Sequence, residues 1–387
     1  MSEVRRIALL MGKDLGYCRG LLQGIRTYMV QENLPWVFRD APPQSDVLGP
    51  LREWQAHGII AHLFDRRIAR RVMALRKPLV NTTSTLVDLG LPLVEVDHEQ
   101  VGRLAATHFL ERGFKQFGYF GSEGTHFSRQ RERGFRNALD EAGHGVSSCY
   151  AEYLPRPPLR ASWKKVEQRI QAWLVGLPKP VAIFASNDVP ARDLAEISRV
   201  LGFRVPEDIV LLGVDNDEVE CLLASPPLSS VVNPAERIGY EAARLLERLM
   251  AGERPPKAPL LIPPGHVRLR QSTDIVAIDD AVVSTALAYI RQHACQRIHV
   301  DDLVRELSLG RRDLERRFRR LLGRTPLEEI RRVRIETVKE YLASTELPMP
   351  KIARLCGFST PQRLSAVFRQ ATGLSPRAYR RRARSRD

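Results

Sequence analysis

The chain has 387 residues, 43% of them apolar, which suits two or three domains with real cores and excludes disorder as the default. Its formal charge of +15 is unevenly placed. From Ala281 onward 24 lysines and arginines face 11 acidic residues, a net of +13 in 107 residues, whereas the preceding 280 residues carry 36 against 34. That asymmetry points to a near-neutral body joined to a basic module that meets a polyanion.

Cys18, Cys149, Cys221, Cys295 and Cys356 are scattered and never spaced as CxxC, which argues for a reducing compartment and against a disulfide framework or thiolate zinc site. The histidines have no clustered ligand spacing, so neither a metal site nor a cofactor is expected. The first apolar run, Ile7 to Met11, is too short for a signal-peptide core, and no stretch is long enough to span a membrane, so a cytoplasmic protein without a membrane partner is expected.

In chain order, "IALLM" from Ile7, "GIIAH" from Gly58, "PLVN" from Pro78, "FGYFG" from Phe117, "VAIFAS" from Val181 and "IVLLGVD" from Ile209 read as buried parallel strands. Amphipathic helical stretches such as "HEQVGRLAATHFLERG" and "ERGFRNALDEAG" lie between them, the second closed by Gly143. The alternation predicts an α/β domain over residues 1–275, with parallel sheets whose ligands bind beyond the carboxyl ends of the strands.

That rule selects Tyr17 after the first strand, Asp97 after "LVEV", Arg131 in the helix after "FGYFGSEG", Asn187 and Asp188 after "VAIFAS", and Asp215 after "IVLLGV". Taken singly, an Asp or Asn in such a place reads equally well as a helix cap. Taken together, carboxylates, an amide, a guanidinium fork and a ring suit a small polyhydroxylated ligand. No phosphate-cradling glycine motif and no catalytic constellation can be argued from spacing, so nothing specific supports an enzyme.

"AIFASNDVPARDLAEISRVLGFRVPEDIVLLGVDNDEV" followed by "SPPLSSVV" resembles the ligand-binding domain of LacI/GalR sugar-responsive regulators and periplasmic sugar-binding proteins, a likeness that extends to "VRLRQST" ending at Thr273. The resemblance implies a two-lobed, Rossmann-like fold whose sugar contacts fall on Asp97, Arg131, Asn187 and Asp215, with Tyr17 near the stacking aromatic. LacI-type regulators carry a helix-turn-helix ahead of this domain. Here only about five residues precede the first strand, so the DNA-reading module is expected elsewhere or is absent.

It is expected over residues 281–387, after the proline-rich stretch Gly252–Pro264 and a boundary near 275–280. "DAVVSTALAYIRQHAC" reads as a helix, and a duplication follows. Leu314, Phe318, Arg319, Gly323 and Pro326 recur 50 residues on as Leu364, Phe368, Arg369, Gly373 and Pro376, while "LVRELSLG" resembles "IARLCGFS" at an offset of 49. Each copy reads as a helix-turn-helix. In the first, Leu314, Phe318 and Leu321 form an inward stripe, and Arg312, Arg316 and Arg319 face outward with Arg320 flanking them and Arg311 at the helix start. Gly323 suits a left-handed cap, and Thr325, Pro326 and Glu328 a capping box that starts the next helix. In the second copy Gln362, Ala366 and Arg369 face outward, and Gln362, Arg363 and Arg369 are the candidate DNA contacts.

A helix with leucine and phenylalanine behind and arginine in front fits the major groove, where arginine grips guanine edges and neutralises phosphates. The bland alternative is a solvated basic face. "KIARLCGFSTPQRLSAVFRQATGLSPRAYRR" resembles the AraC/XylS family of transcription activators, although Gly310 stands where that family usually has a capping Ser or Thr. The two resemblances together imply a regulator that binds double-stranded DNA and a small sugar effector, D-xylose or a similar monosaccharide, as a homodimer acting on RNA polymerase. A different pentose or hexose, and repression instead of activation, remain alternatives.

Overall fold

A computed structural model describes residues 4–41, 48–86, 89–152, 163–275, 280–344 and 347–384. The chain divides into two compact units, Met1–Ala277 and Ile278–Asp387.

The first unit has two lobes. In the first lobe β1 (Arg5–Leu10), α1 (Gly16–Gln31), β2 (Trp36–Ala41), α2 (Leu48–Glu53), β3 (Gly58–Ala61), α3 (Arg66–Met73) and β4 (Leu79–Asn81) build a parallel sheet of order β2-β1-β3-β4. The chain then forms β5 (Val94–Val96), α4 (His98–Leu110), β6 (Phe117–Ser122), α5 (His126–Glu141), β7 (Val146–Ala151), α6 (Trp163–Gly176), β8 (Val181–Ala185), α7 (Asp188–Val200), β9 (Ile209–Val214), α8 (Glu218–Leu223) and β10 (Ser229–Val231). Next, α9 (Ala235–Met250) packs on α1, β11 (Leu260–Ile262) pairs with β5, and β12 (Val267–Arg268) closes the second sheet. The order of that sheet is β12-β10-β9-β8-β6-β7, parallel except for β12.

Every strand expected from an apolar run is present, because β3, β6, β8 and β9 are buried along their whole length. Strand β2 gave no such signal: as an edge strand it leaves Val37 to Asp40 exposed. Helix α5 begins at His126, which puts Arg131 in its second turn. Close backbone contact with α4 fixes its place, since a methyl group on Gly102 would overlap the Arg131 carbonyl and one on Gly134 would overlap that of Glu99.

The second unit is all helical: α10 (Ala281–His293), α11 (Val300–Glu306), α12 (Arg311–Leu322), α13 (Pro326–Ser344), α14 (Met349–Leu355), α15 (Pro361–Thr372) and α16 (Pro376–Arg384). The duplication appears as two small cores. One gathers Val283, Leu287, Ile290, Leu303, Leu314, Phe318 and Ile330, and the other Val338, Leu342, Ile352, Leu364 and Phe368. Gly323 and Gly373 end α12 and α15 with φ of 66° and 72°, the left-handed conformation glycine adopts without penalty. The capping box at α13 forms, with the Thr325 amide donating to Glu328 at 2.7 Å and the Glu328 amide to Thr325 Oγ1 at 3.3 Å. Among the described residues, no helix is long and apolar enough to cross a membrane.

Candidate functional site

A cleft of about 540 Å³ opens in the first unit, lined by the ends of strands from both lobes. Tyr17, Arg131, Asn187, Asp188 and Asp215 all border it. Asp215 holds its carboxylate between two amides, accepting from Asn187 Nδ2 at 2.6 Å and Asn233 Nδ2 at 2.9 Å. Its backbone φ is 107°, a conformation that L-residues rarely adopt and that clusters at ligand sites. Asn187 stands at the N-cap of α7, but its side chain makes no capping bond and is given to Asp215 instead.

Arg131 is 2% exposed, a guanidinium carried into the interior of the unit. Its Nε donates to His98 Nδ1 at 3.2 Å, Nη1 donates to the Ser186 carbonyl, and Nη2 lies 3.8 Å from Asp215. The Phe127 ring lies 5.1 Å from the guanidinium carbon, adding a cation–π contact. Tyr17 donates its hydroxyl to the Thr82 carbonyl at 2.8 Å, which leaves its ring as the surface offered to the cleft. Asp188 is a buried brace: it accepts from Ser230 Oγ at 2.6 Å and from the Asp217 amide at 2.8 Å. Burial, reinforced by nearby Asp215, pushes its carboxyl well above the usual range.

Asp97 does not join this group, and its expected place in the cleft is corrected. It is the N-cap of α4, accepting from the Gln100 amide at 3.0 Å and from Gln100 Nε2 at 2.7 Å. Glu95, two residues earlier on β5, occupies the cleft instead. Its carboxylate, 3% exposed, accepts from the Ser84 amide at 2.8 Å and pairs with His98 Nε2 at 3.2 Å. Burial lowers the His98 pKa despite this partner, so the imidazole is held neutral. Glu95, His98, Phe127 and Asn233 were missed from the sequence. A glutamate inside the apolar run "LVEV" was a legible signal, since unpaired buried carboxylates are rare, and Asn233 also follows a strand.

In the second unit Arg312, Arg316 and Arg319 of α12 are exposed, as are Gln362, Arg363 and Arg369 of α15. Among the described residues Arg312, Arg319, Arg363 and Arg369 make no ion pair, so their charge is available to a polyanion. Arg311 is engaged by Glu315 at 3.1 Å and Asp301 at 3.3 Å, and Arg316 by Asp313. Gly310 gives α12 no side-chain cap, whereas Thr360 caps α15 through the Arg363 amide at 3.1 Å.

Residues 106–273 match the periplasmic binding protein-like domain family and residues 303–382 the helix-turn-helix domain family. The chain is 30% identical to the xylose operon regulatory protein of Escherichia coli K12, with 98% of this chain and 97% of that protein covered. The chain belongs to the xylose operon regulatory protein family. The Haemophilus influenzae protein of that description is 29% identical, with 98% of this chain and 99% of the relative covered. A solved xylose-binding transcription activator matches with a TM-score of 0.79 at 29% identity, covering 98% of each chain. This family member is therefore a transcription regulator with a DNA-binding helix-turn-helix unit and a sugar-binding type of α/β unit, and not an enzyme.

Proposed function

We propose that the cleft binds D-xylose, and that sugar occupancy sets how the basic unit engages DNA to activate transcription. The observation that carries this reading is Asp215, fixed by two amides and facing a buried arginine fork. Each carboxylate oxygen keeps a lone pair for a sugar hydroxyl, Arg131 donates to another, and the Tyr17 ring packs against a C–H face. Asn187 and Asp188 orient this set, and Glu95 supplies a second acceptor across the cleft. The description of the relatives by xylose, and of one as an activator, supports both the sugar and the sign of regulation.

Arg312, Arg316 and Arg319 on α12, with Gln362, Arg363 and Arg369 on α15, read base edges and phosphates, and Arg311 braces the start of α12. A sugar that closes the lobes changes the way a homodimer presents its helix-turn-helix motifs, so sugar and DNA affinities are linked. Bound beside a promoter in the cytoplasm, the dimer recruits RNA polymerase. A thermal-shift screen of the full chain against a panel of monosaccharides tests the reading, because only a ligand of the folded state raises Tm by mass action. D-Xylose is expected to give the largest rise, and a panel in which no sugar raises Tm would overturn it.

A further inference from the structure

Asp280 is the first described residue after the segment that joins the two units, and both of its carboxylate oxygens are engaged. Oδ1 accepts from the amides of Val282 at 3.1 Å and Val283 at 3.2 Å, capping α10. Oδ2 accepts from Arg317 Nη1 at 2.8 Å, with Arg320 Nη2 3.7 Å away. The Asp280 side chain is 8% exposed, while Arg317 is 31% exposed, so the carboxylate is held against the protein and the guanidinium stays partly solvated. Arg317 is also held from its own helix, donating through Nε to Asp313 at 2.8 Å.

Arg317 and Arg320 stand on α12, the basic helix of the first helix-turn-helix. The helix that Asp280 starts buries Val283, Leu287 and Ile290 in one core with Leu314 and Phe318 of α12. The second copy lacks the arrangement, since Val367 and Gln370 stand 50 residues on from Arg317 and Arg320. The charge pair thus belongs to the copy that follows the joining segment, and it is not part of what the duplication needs in order to fold.

We propose that Asp280 and Arg317 are a positioning pair that makes the first basic helix follow the segment arriving from the sugar-binding unit, and so transmits sugar occupancy to DNA affinity. This rests on the reading that sugar sets DNA affinity. Asp280 is the first described residue of the second unit, so a displacement arriving along the chain is handed to α10 and α12 there. A close-packed contact backed by a charge pair moves with it instead of deforming.

The test uses the full chain, saturating D-xylose, and duplex DNA selected from a random pool by the unmutated protein. The quantity read is the ratio of DNA Kd without and with sugar, which for linked sites is typically about 5–150-fold. Asp280→Asn keeps an equally good cap but gives up the charge, and Arg317→Gln removes the partner. Both are expected to bring the ratio below about twofold, with D-xylose affinity and Tm close to the unmutated values, and Arg317→Lys to restore much of it. The proposal is overturned if either neutralised variant keeps the unmutated ratio. It is also overturned if Tm drops and DNA affinity falls equally with and without sugar, which is what a merely structural pair would give. An unmutated ratio near one removes the premise and the proposal with it, and that failure is read on the parent chain alone.

Discussion

Asp215 and Arg131 concentrate the recognition chemistry at the scale of single residues. Charge-assisted hydrogen bonds contribute roughly 1.5–3 kcal/mol each. Asp215→Asn is therefore expected to weaken sugar binding at least about tenfold by calorimetry, the more so because its new NH2 must face the donor of Asn187 or Asn233. Arg131→Lys should behave similarly, since an ammonium cannot span His98, Ser186 and Asp215 as the fork does. Unchanged sugar affinity in both well-folded variants would mean the cleft is assigned wrongly. A second residue-scale prediction concerns acid stability. Burial, with Arg112 adding repulsion, lowers the His108 pKa from 6.5 to about 3, and among the described residues its Nε2 has no hydrogen-bond partner. Only the unfolded chain takes up this proton, so the stability it contributes is full above pH 6.5 and lost as pH falls toward 3. His108→Gln should flatten the fall in Tm between about pH 7 and about pH 5, and an unaltered slope would rule this histidine out as a cause.

Helix starts are the point at which the two copies of the motif differ most at the scale of elements. Thr360 caps α15 and Gly310 leaves α12 without a side-chain cap. Thr360→Ala is expected to cost about 1 kcal/mol in chemical unfolding, while Gly310→Ser should gain only a few tenths. Equal and negligible effects would show that packing of Leu314 and Phe318, and of Leu364 and Phe368, holds these helices without help from their caps. The caps, the left-handed glycines and the inward stripes were all legible in the sequence because they depend on neighbours within a turn or two. Asp97 was misplaced for the converse reason: a carboxylate after a strand serves either a cap or a cleft, and the spacing is the same.

For the whole molecule, a near-neutral unit is joined to one with a net charge of +11, of which the residues from Ala281 onward carry +13. Counterion release then dominates DNA binding, so affinity of the full chain should fall by orders of magnitude, roughly 10³–10⁵ for 6–10 phosphate contacts, between 50 and 200 mM salt. A flat response would contradict groove binding. Two helix-turn-helix motifs joined by α13 should protect successive major grooves about 34 Å apart on one face of the duplex. Replacing Arg312 by Ala should cost about 1–3 kcal/mol at the selected site if it reads a base, and equally on random DNA if it touches only phosphate.

The sequence by itself determined the α/β and all-helical halves, the strands of the first unit that are buried on both faces, the duplicated helix-turn-helix and the face its arginines present. Each of these follows from local periodicity or from glycine and capping chemistry, which act over a few residues. It also singled out Tyr17, Arg131, Asn187, Asp188 and Asp215. Only the tertiary structure decided that these five share one cleft with Glu95, His98 and Asn233, because residues as far apart as Tyr17 and Asn233 meet only once both sheets have formed. The tie between Asp280 and Arg317 is of the same kind: 37 positions separate the two, and no pattern along the chain records a contact made by packing α10 against α12.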